Sequence, residues 1–285
     1  MRREGDEGEA DACWNEGIFV ERRRRRLNFE MVSDHSHQYC ELYYLVSGRC
    51  RIFLDHSLYR VEAGDMVLIP PLAIHRTRYG IVQESERITI FFGREYLDMM
   101  EAECGAGTGE ELFRKGKVAV EAGRRPYVED LMMKLCGEQE RMDRYSGMLK
   151  KEYLLEVLAF LGRSGGMEER LEEVTGAAEA AVQEAAQYIY HHYMDPLTLT
   201  EVAERVHMTP AYFSRKFKRV TGFGYKEYLN DVRLKEAARM LLETECSVTE
   251  IALACGFSDG NYFGDLFKKE KGISPRTYRK NPQIL

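Results

Sequence analysis

The chain has 285 residues, 44% of them hydrophobic and 31% charged, with a formal net charge of −6 at pH 7. Two globular domains are expected at this length, and the composition excludes a disordered or fibrous chain. Seven cysteines without a CxxC pair argue against a disulfide framework or zinc finger, and no apolar run approaches the ~20 residues of a membrane span.

Residues 1–17 are polar and read as a flexible N-terminus. No signal peptide opens the chain, so a cytoplasmic protein with no membrane partner is expected. From 18 to 92, short runs of β-branched and aromatic residues are divided by Gly, Asp and Pro. Residues 41–48, 51–55, 58–62 and 66–70 predict an antiparallel meander with a turn at Asp55 and His56, and 87–92 predict a closing strand. Strands this short and this evenly spaced predict a small sandwich or barrel. The five arginines at 22–26 lie between two predicted strands. Exposure at the barrel rim is the expectation for them, with contact to an anionic effector as the other reading.

Helical periodicity follows. Tyr127, Leu131, Met132, Leu135, Cys136 and Met142 form one apolar stripe, and Leu149, Tyr153, Leu154, Val157, Leu158 and Leu161 form a second. Each stripe either covers the barrel or makes a homodimer interface. Residues 104–109 read as a loop. Two glycines among charges at 163–170 break the pattern, which places a linker at 163–178 between a sensor domain at 18–162 and a last domain at 179–285.

The last domain contains one segment twice, at 198–222 and 247–272. Two copies are too few to stack as a solenoid. Thr198 and Ser247 each precede an apolar-periodic run with Glu three residues later, the capping-box spacing. A second helix starts after Thr209 with Pro210 at its first position, and after Ser258 or Asp259 in the other copy; Gly222 and Gly272 mark the stops. Each copy therefore reads as a helix-turn-helix. Arg215, Lys216, Lys218 and Arg219 crowd the first presumed reading helix; Lys268, Lys269 and Lys271 crowd the second; Arg276, Arg279 and Lys280 extend the basic set. Residues 181–285 hold 15 Lys/Arg against 13 Asp/Glu, so the acidity belongs to the front of the chain and does not oppose phosphate binding here. The spacing of Phe213, Phe217, Phe263, Phe267 and Tyr278 marks them as core rather than as base-stacking groups.

On these features, residues from about 181 to 280 resemble the DNA-binding domain of the AraC family of bacterial transcription regulators. In that family one long helix joins two helix-turn-helix units; here Tyr225 to Glu243 would be that helix. It would span ~28 Å, enough to set two reading helices in successive major grooves ~34 Å apart. The resemblance assigns DNA contacts to Thr209, Pro210, Ala211, Ser214, Arg215, Lys218 and Arg219 in the first unit. In the second it assigns Gly260, Asn261, Asp265, Lys268 and Lys269, with Gly264 at an equivalent place. Arg215 is the best base reader, because a guanidinium takes guanine O6 and N7 together. Asp265 stands where relatives often carry a basic or amide side chain, so the second unit is expected mainly to anchor to phosphate.

His35, His37, Glu41 and Gly48 resemble the first motif of the cupins, and Gly64, Pro70 and His75 resemble the second, although Leu72 and Tyr79 depart from it. In cupins the His, His, Glu, His set holds a divalent metal. The resemblance thus implies either a bound Zn, Ni, Mn or Fe ion at His35, His37, Glu41 and His75, or an effector chamber lined by these residues and Tyr43 without any required cofactor, with structural hydrogen bonding as the remaining reading. The combined fold expectation is a cupin-like β-barrel or sandwich with flanking α-helices, followed by an all-α domain with two helix-turn-helix units. The functional expectation is a non-enzymatic, dimeric, sequence-specific regulator that binds a double-stranded DNA operator and a small-molecule effector, for which the resemblance favours a sugar. The alternative is a metal-dependent cupin enzyme or metal sensor fused to a DNA-binding module.

Overall fold

The computed structural model describes residues 17–25, 37, 39–79, 84–165 and 176–280. Contacts divide the chain into two compact units, the first Met1–Ile52, Tyr59–Pro71 and Thr77–Arg170, the second Phe53–Leu58, Leu72–Arg76 and Leu171–Leu285. Most of the segment expected as linker, 166–175, lies outside the described residues.

The N-terminal part is built from β1 (Ile18–Arg25), β2 (Cys40–Ser47), β3 (Arg49–Leu54), β4 (Ser57–Glu62), β5 (Asp65–Ile69), β6 (His75–Tyr79), β7 (Ser85–Phe92) and β8 (Lys117–Ala119). They form a five-stranded sheet in the order β1-β7-β2-β5-β8 and a three-stranded sheet in the order β4-β3-β6. Helices α1 (Glu95–Cys104), α2 (Thr108–Arg114), α3 (Arg125–Arg141) and α4 (Ser146–Arg163) follow or interrupt the strands. Helix α2 begins inside the stretch 104–109 that had read as a loop.

Register explains how the five-stranded sheet divides its residues. Val20, Ile90, Leu42 and Leu68 stand opposite one another across β1, β7, β2 and β5. They lie in one hydrophobic core with Val128, Leu131, Met132 and Leu135 of α3 and Leu154, Val157, Leu158 and Leu161 of α4. Both apolar stripes therefore cover the sheet. Tyr127 and Met142, counted in the first stripe, are exposed instead; Met142 caps α3 at a φ of 48°, where the helix has already ended.

Strand side chains alternate between faces, so the next row belongs to the opposite side. That row reads Glu21, Thr89, Tyr43 and Val67. The arginine run is a correction to the sequence expectation. Residues 22–25 continue β1 rather than standing at a rim between strands, with Arg22 and Arg24 exposed and Arg25 buried. A run of arginines defeats an apolar-alternation test even where the backbone is paired throughout, as here from Ile18↔Phe92 to Arg25↔Ser85.

The second unit contains α5 (Ala177–His191), α6 (Leu199–Arg205), α7 (Pro210–Thr221), α8 (Tyr225–Glu243), α9 (Val248–Ala254), α10 (Gly260–Lys271) and α11 (Pro275–Arg279). Helix α8 has the predicted limits and serves two cores. Tyr228, Leu229 and Val232 pack with α5, α6 and α7 residues such as Ile189, Val202, Phe213 and Phe217. Leu234, Ala237, Ala238 and Leu241 pack with Ile251, Phe263, Phe267 and Tyr278. Between these two patches, Arg233 donates to the carbonyls of Tyr193 at 2.8 Å and Asp195 at 2.9 Å, fixing the end of α5 to the middle of α8. The short segments Phe53–Leu58 and Leu72–Arg76 belong to this unit too: Phe53 and Ile74 lie in its first core, and Lys235 Nζ donates to both Asp55 carboxylate oxygens at 2.8 Å.

Candidate functional site

Two helix-turn-helix units stand in the second unit, and local chemistry sets each of their ends. The Thr198 hydroxyl accepts from Glu201 N at 3.2 Å while Thr198 N donates to the Glu201 carboxylate at 2.8 Å. Ser247 and Glu250 repeat the arrangement at 3.2 and 2.7 Å. Each capping carboxylate accepts from the hydroxyl and from the backbone N–H of its cap residue in its charged form, which lowers the pKa of both Glu201 and Glu250 below the usual value. Thr209 caps α7, and Asp259, not Ser258, caps α10 by accepting from Asn261 N at 2.7 Å. The turn after the first helix takes positive φ in both copies, 55° at His207 and 83° at Gly256.

Helices α7 and α10 match residue for residue in exposure over their first ten positions, apart from the first. Phe213 and Phe217 are fully buried in α7, as are Phe263 and Phe267 in α10. The aromatic set is thus core, as its spacing predicted. Ala211, Tyr212, Arg215, Lys218 and Arg219 are exposed, and Asn261, Tyr262, Asp265, Lys268 and Lys269 occupy the same exposed places. Ser214 and Gly264 are half-buried in both. Thr209 and Gly260 are exposed, while Pro210 is half-buried.

Two assignments change and two residues are added. Lys271 is half-buried, and desolvation lowers its ammonium pKa, so it does not stand with the exposed Lys268–Lys269 pair. Arg279 donates to the carbonyls of Leu241 and Cys246, which makes it a brace on the end of α8. Tyr212 and Tyr262 escaped the sequence reading because each precedes a core Phe and merges with its aromatic run. Both are exposed at the third position of their helices, and the Tyr262 hydroxyl accepts from Asn230 at 3.1 Å.

In the first unit the inner face of the five-stranded sheet mixes Val67, Ile69 and Phe91 with a buried polar set. Tyr43 is fully buried; its hydroxyl meets the Tyr79 hydroxyl at 3.1 Å and Cys50 Sγ at 3.3 Å. Burial pushes the pKa of both tyrosines up, so their hydroxyls stay protonated. Arg87 is buried on the same face, its Nη2 3.4 Å from the Glu21 carboxylate. Desolvation works against its charge, and the carboxylates of Glu41 and Glu21 are the anions that favour it.

The expected metal set is represented by three of its four members. His37, Glu41 and His75 bring one ligand atom each within 4.8 Å of one another; His35 lies outside the described residues. His37 Nδ1 is 2.8 Å from the carbonyl of Tyr39, and His75 Nδ1 is 3.0 Å from that of Ala73. A carbonyl only accepts, so each Nδ1 donates and Nε2 is the ring atom left to face the cluster. His37 Nε2 faces the Glu41 carboxylate at 3.1 Å. That spacing suits either a hydrogen bond from a protonated His37 or a shared cation. His75 opens β6, a strand the sequence did not disclose, because its His-Arg-Thr-Arg-Tyr pattern buries polar rather than apolar residues at alternate positions.

Comparison with known proteins agrees with this division. The AraC-like ligand binding domain matches residues 20–158 and a helix-turn-helix domain matches residues 202–281. The chain is 28% identical over 255 residues to the HTH-type transcriptional regulator YisR of Bacillus subtilis, covering 84% of this chain and 85% of that protein. It is 32% identical over 143 residues to the HTH-type transcriptional activator RhaS of Escherichia coli, half of each chain. Among solved structures, the C-terminal domain of AraT from Geobacillus stearothermophilus is 37% identical over 40% of this chain and 88% of that one, with a TM-score of 0.35. No described helix is long and apolar enough to cross a membrane. With a ligand-binding domain ahead of a DNA-binding helix-turn-helix domain, the chain belongs to the AraC family of transcription regulators.

Proposed function

We propose that this regulator reads its operator unequally with its two helix-turn-helix units and that a small polar effector on the inner face of the five-stranded sheet controls the reading. The observation that carries the first part is the matched exposure of α7 and α10 with unmatched chemistry: Arg215 in one occupies the place of Asp265 in the other. Arg215 takes a guanine edge, with Ala211 and Ser214 against neighbouring bases, while Thr209, Lys218 and Arg219 hold phosphate. In the second unit Lys268 and Lys269 hold phosphate, and Asn261 is the group suited to a base, as a bidentate partner of adenine. Gly260 and Gly264 bring no side-chain chemistry, and Asp265 repels phosphate.

Selection of binding sites from random duplex DNA tests this directly. The recovered site should be strongly constrained under one half and weakly under the other. Arg215→Ala should relax one constrained position. Equal constraint under both halves would overturn the reading.

The effector part rests on the buried polar face that carries Glu41, Tyr43, Arg87 and Thr89, which a purely structural sheet would fill with apolar side chains. A sugar is the simplest neutral candidate for such a face. The protein acts by binding rather than catalysis, in the cytoplasm, as a homodimer; exposed Met133, Met142, Tyr145 and Met148 on and beside α3 and α4 offer the apolar surface for the dimer. Sedimentation of the wild type against Met133→Glu, Met148→Glu tests the dimer.

A second reading concerns the metal. The gathering of one possible ligand atom each from His37, Glu41 and His75 within 4.8 Å favours a divalent cation of the imidazole-and-carboxylate class, which would fix the ligand end of the chamber. Elemental analysis of protein purified without an affinity tag decides it, and stoichiometric Zn, Ni, Mn or Fe is the expected result. Effector titrations on a Glu41→Gln, His75→Ala double mutant test the chamber as a sensor.

A further inference from the structure

We infer that the Tyr262 hydroxyl donates to a DNA phosphate and that Asn230 of α8 is the residue that positions it. This deepens the reading of the second unit as a phosphate anchor and rests on it. Three observations carry the assignment.

The first is where the ring stands. Tyr262 is the third residue of α10 and is 44% exposed. Asp265 and Lys269, both exposed, follow three and seven residues later, so the three share one face of the helix. Lys269 on that face holds phosphate in the proposed reading. The neighbouring Phe263 fills the core; Tyr262 stays in water at the edge of the reading surface.

The second is a hydrogen bond with one end open. Asn230 Nδ2 donates to the Tyr262 oxygen at 3.1 Å. An amide nitrogen does not accept, so the hydroxyl keeps its own proton to give, and among the described residues no group takes it. The bond also draws the ring to the α8 side of α10. A hydroxyl held beside the reading helix meets the sugar-phosphate wall of a groove rather than a base edge on its floor. A neutral donor suits the place, because a lysine or arginine at 262 would be drawn to the Asp265 carboxylate three residues on.

The third is a contrast inside the repeat. Val182, Ala185, Ala186 and Ile189 of α5 and Leu234, Ala237, Ala238 and Leu241 of α8 are buried at identical spacing. On that match the place of Asn230 falls to Ala178 in the first unit, and an alanine side chain has nothing to donate. Tyr212, the counterpart of Tyr262, has no hydroxyl partner among the described residues. The two tyrosines are alike, and only one is braced. A braced side chain loses little freedom on binding, and a loose one loses more.

Titrations of the full-length protein on two duplex probes, one of random sequence and one recovered by selection, test the inference. Tyr262→Phe removes the hydroxyl and keeps the ring; it should weaken both probes alike, by about fivefold. The slope of log K against log salt should stay as in the wild type, because a neutral donor displaces no counterion. Asn230→Ala should weaken both probes about threefold, and should add nothing in the Tyr262→Phe background. Tyr212→Phe should change affinity by less than about twofold. A loss confined to one position of the selected site, a changed salt slope, additive effects of Tyr262→Phe and Asn230→Ala, or an equal loss at Tyr212→Phe would each overturn the inference. Wild-type affinity of Tyr262→Phe beside a loss at Lys268→Ala would overturn it while leaving the anchor reading standing. Silence of both variants would bring down the anchor reading as well.

Discussion

From their second to their tenth positions helices α7 and α10 bury the same places and expose the same places, yet at two of the exposed ones they carry unlike chemistry. Phe213 and Phe263, and Phe217 and Phe267, are interchangeable pairs; Ala211 and Asn261, or Arg215 and Asp265, are not. The buried rings are alike, the exposed Tyr212/Tyr262, Lys218/Lys268 and Arg219/Lys269 pairs are alike in chemistry, and the difference is concentrated at Ala211/Asn261 and Arg215/Asp265. Difference between the copies is therefore evidence about reading.

The comparison breaks most sharply if the two cores turn out unequal. Phe217→Ala and Phe267→Ala each remove a fully buried ring and should each cost ~3–5 kcal/mol in chemical denaturation. A loss under ~1 kcal/mol for one of them would mean that its core is not a true counterpart.

A smaller effect separates the two turns. At Gly256 an added Cβ would lie 2.8 Å from the carbonyl oxygens of Met194 and Tyr193, at a φ of +83°. Gly256→Ala should cost ~2–3 kcal/mol from the clash and the left-handed backbone together. His207 has φ of 55°, and His207→Gly should be neutral or gain up to ~1 kcal/mol. Thermal unfolding of the pair checks the sign.

DNA binding sharpens the contrast at the exposed positions. Arg215→Ala should cost ~1–3 kcal/mol at one operator position, and Asp265→Ala should strengthen binding to all sequences alike. Lys218→Ala and Lys268→Ala should each reduce the slope of log K against log salt by ~0.9. A base-specific loss at Asp265→Ala would show that the second unit reads sequence after all.

The smallest expected effects lie at the caps. Thr198→Ala and Ser247→Ala should each cost ~1 kcal/mol. Glu201 and Glu250 have folded pKa values below their ordinary value of 4.5. Their contribution is present above the unfolded value and is lost as pH falls through the folded one. An acid titration of stability in which Glu201→Gln and Glu250→Gln flatten the curve equally would keep the two copies equivalent at this level.

Much of the DNA-binding half was legible because its signals are local. A capping box, a proline at the first helical position, a glycine after the last turn and an apolar period each occupy a few neighbouring residues, and the limits of α8 followed from them. The β half was less so, for a physical reason. Apolar alternation identifies a strand only when one face is apolar and the other meets water. Here the face away from α3 and α4 buries Glu41, Thr89 and Arg87, and β1 ends in four arginines. In β6 the buried positions are His75, Thr77 and Tyr79. The residues that conceal these strands are the ones that make the face chemically useful. His37, Glu41 and His75 could be gathered from the motif resemblance, but the place of Arg87 could not, since it stands opposite Arg23, 64 residues away, in a register that is invisible in the sequence.

The two-faced sheet also bears on how such a protein diversifies. Along β2 and β7 the side chains that meet the helices and those that meet the chamber alternate one by one. Mutation can therefore rewrite every odd-numbered position of a strand, and with it the compound detected, while the even-numbered positions keep the domain folded. A lineage can change its signal without passing through an unfolded intermediate, and its descendants would share a recognisable apolar half-pattern under unrelated ligand preferences.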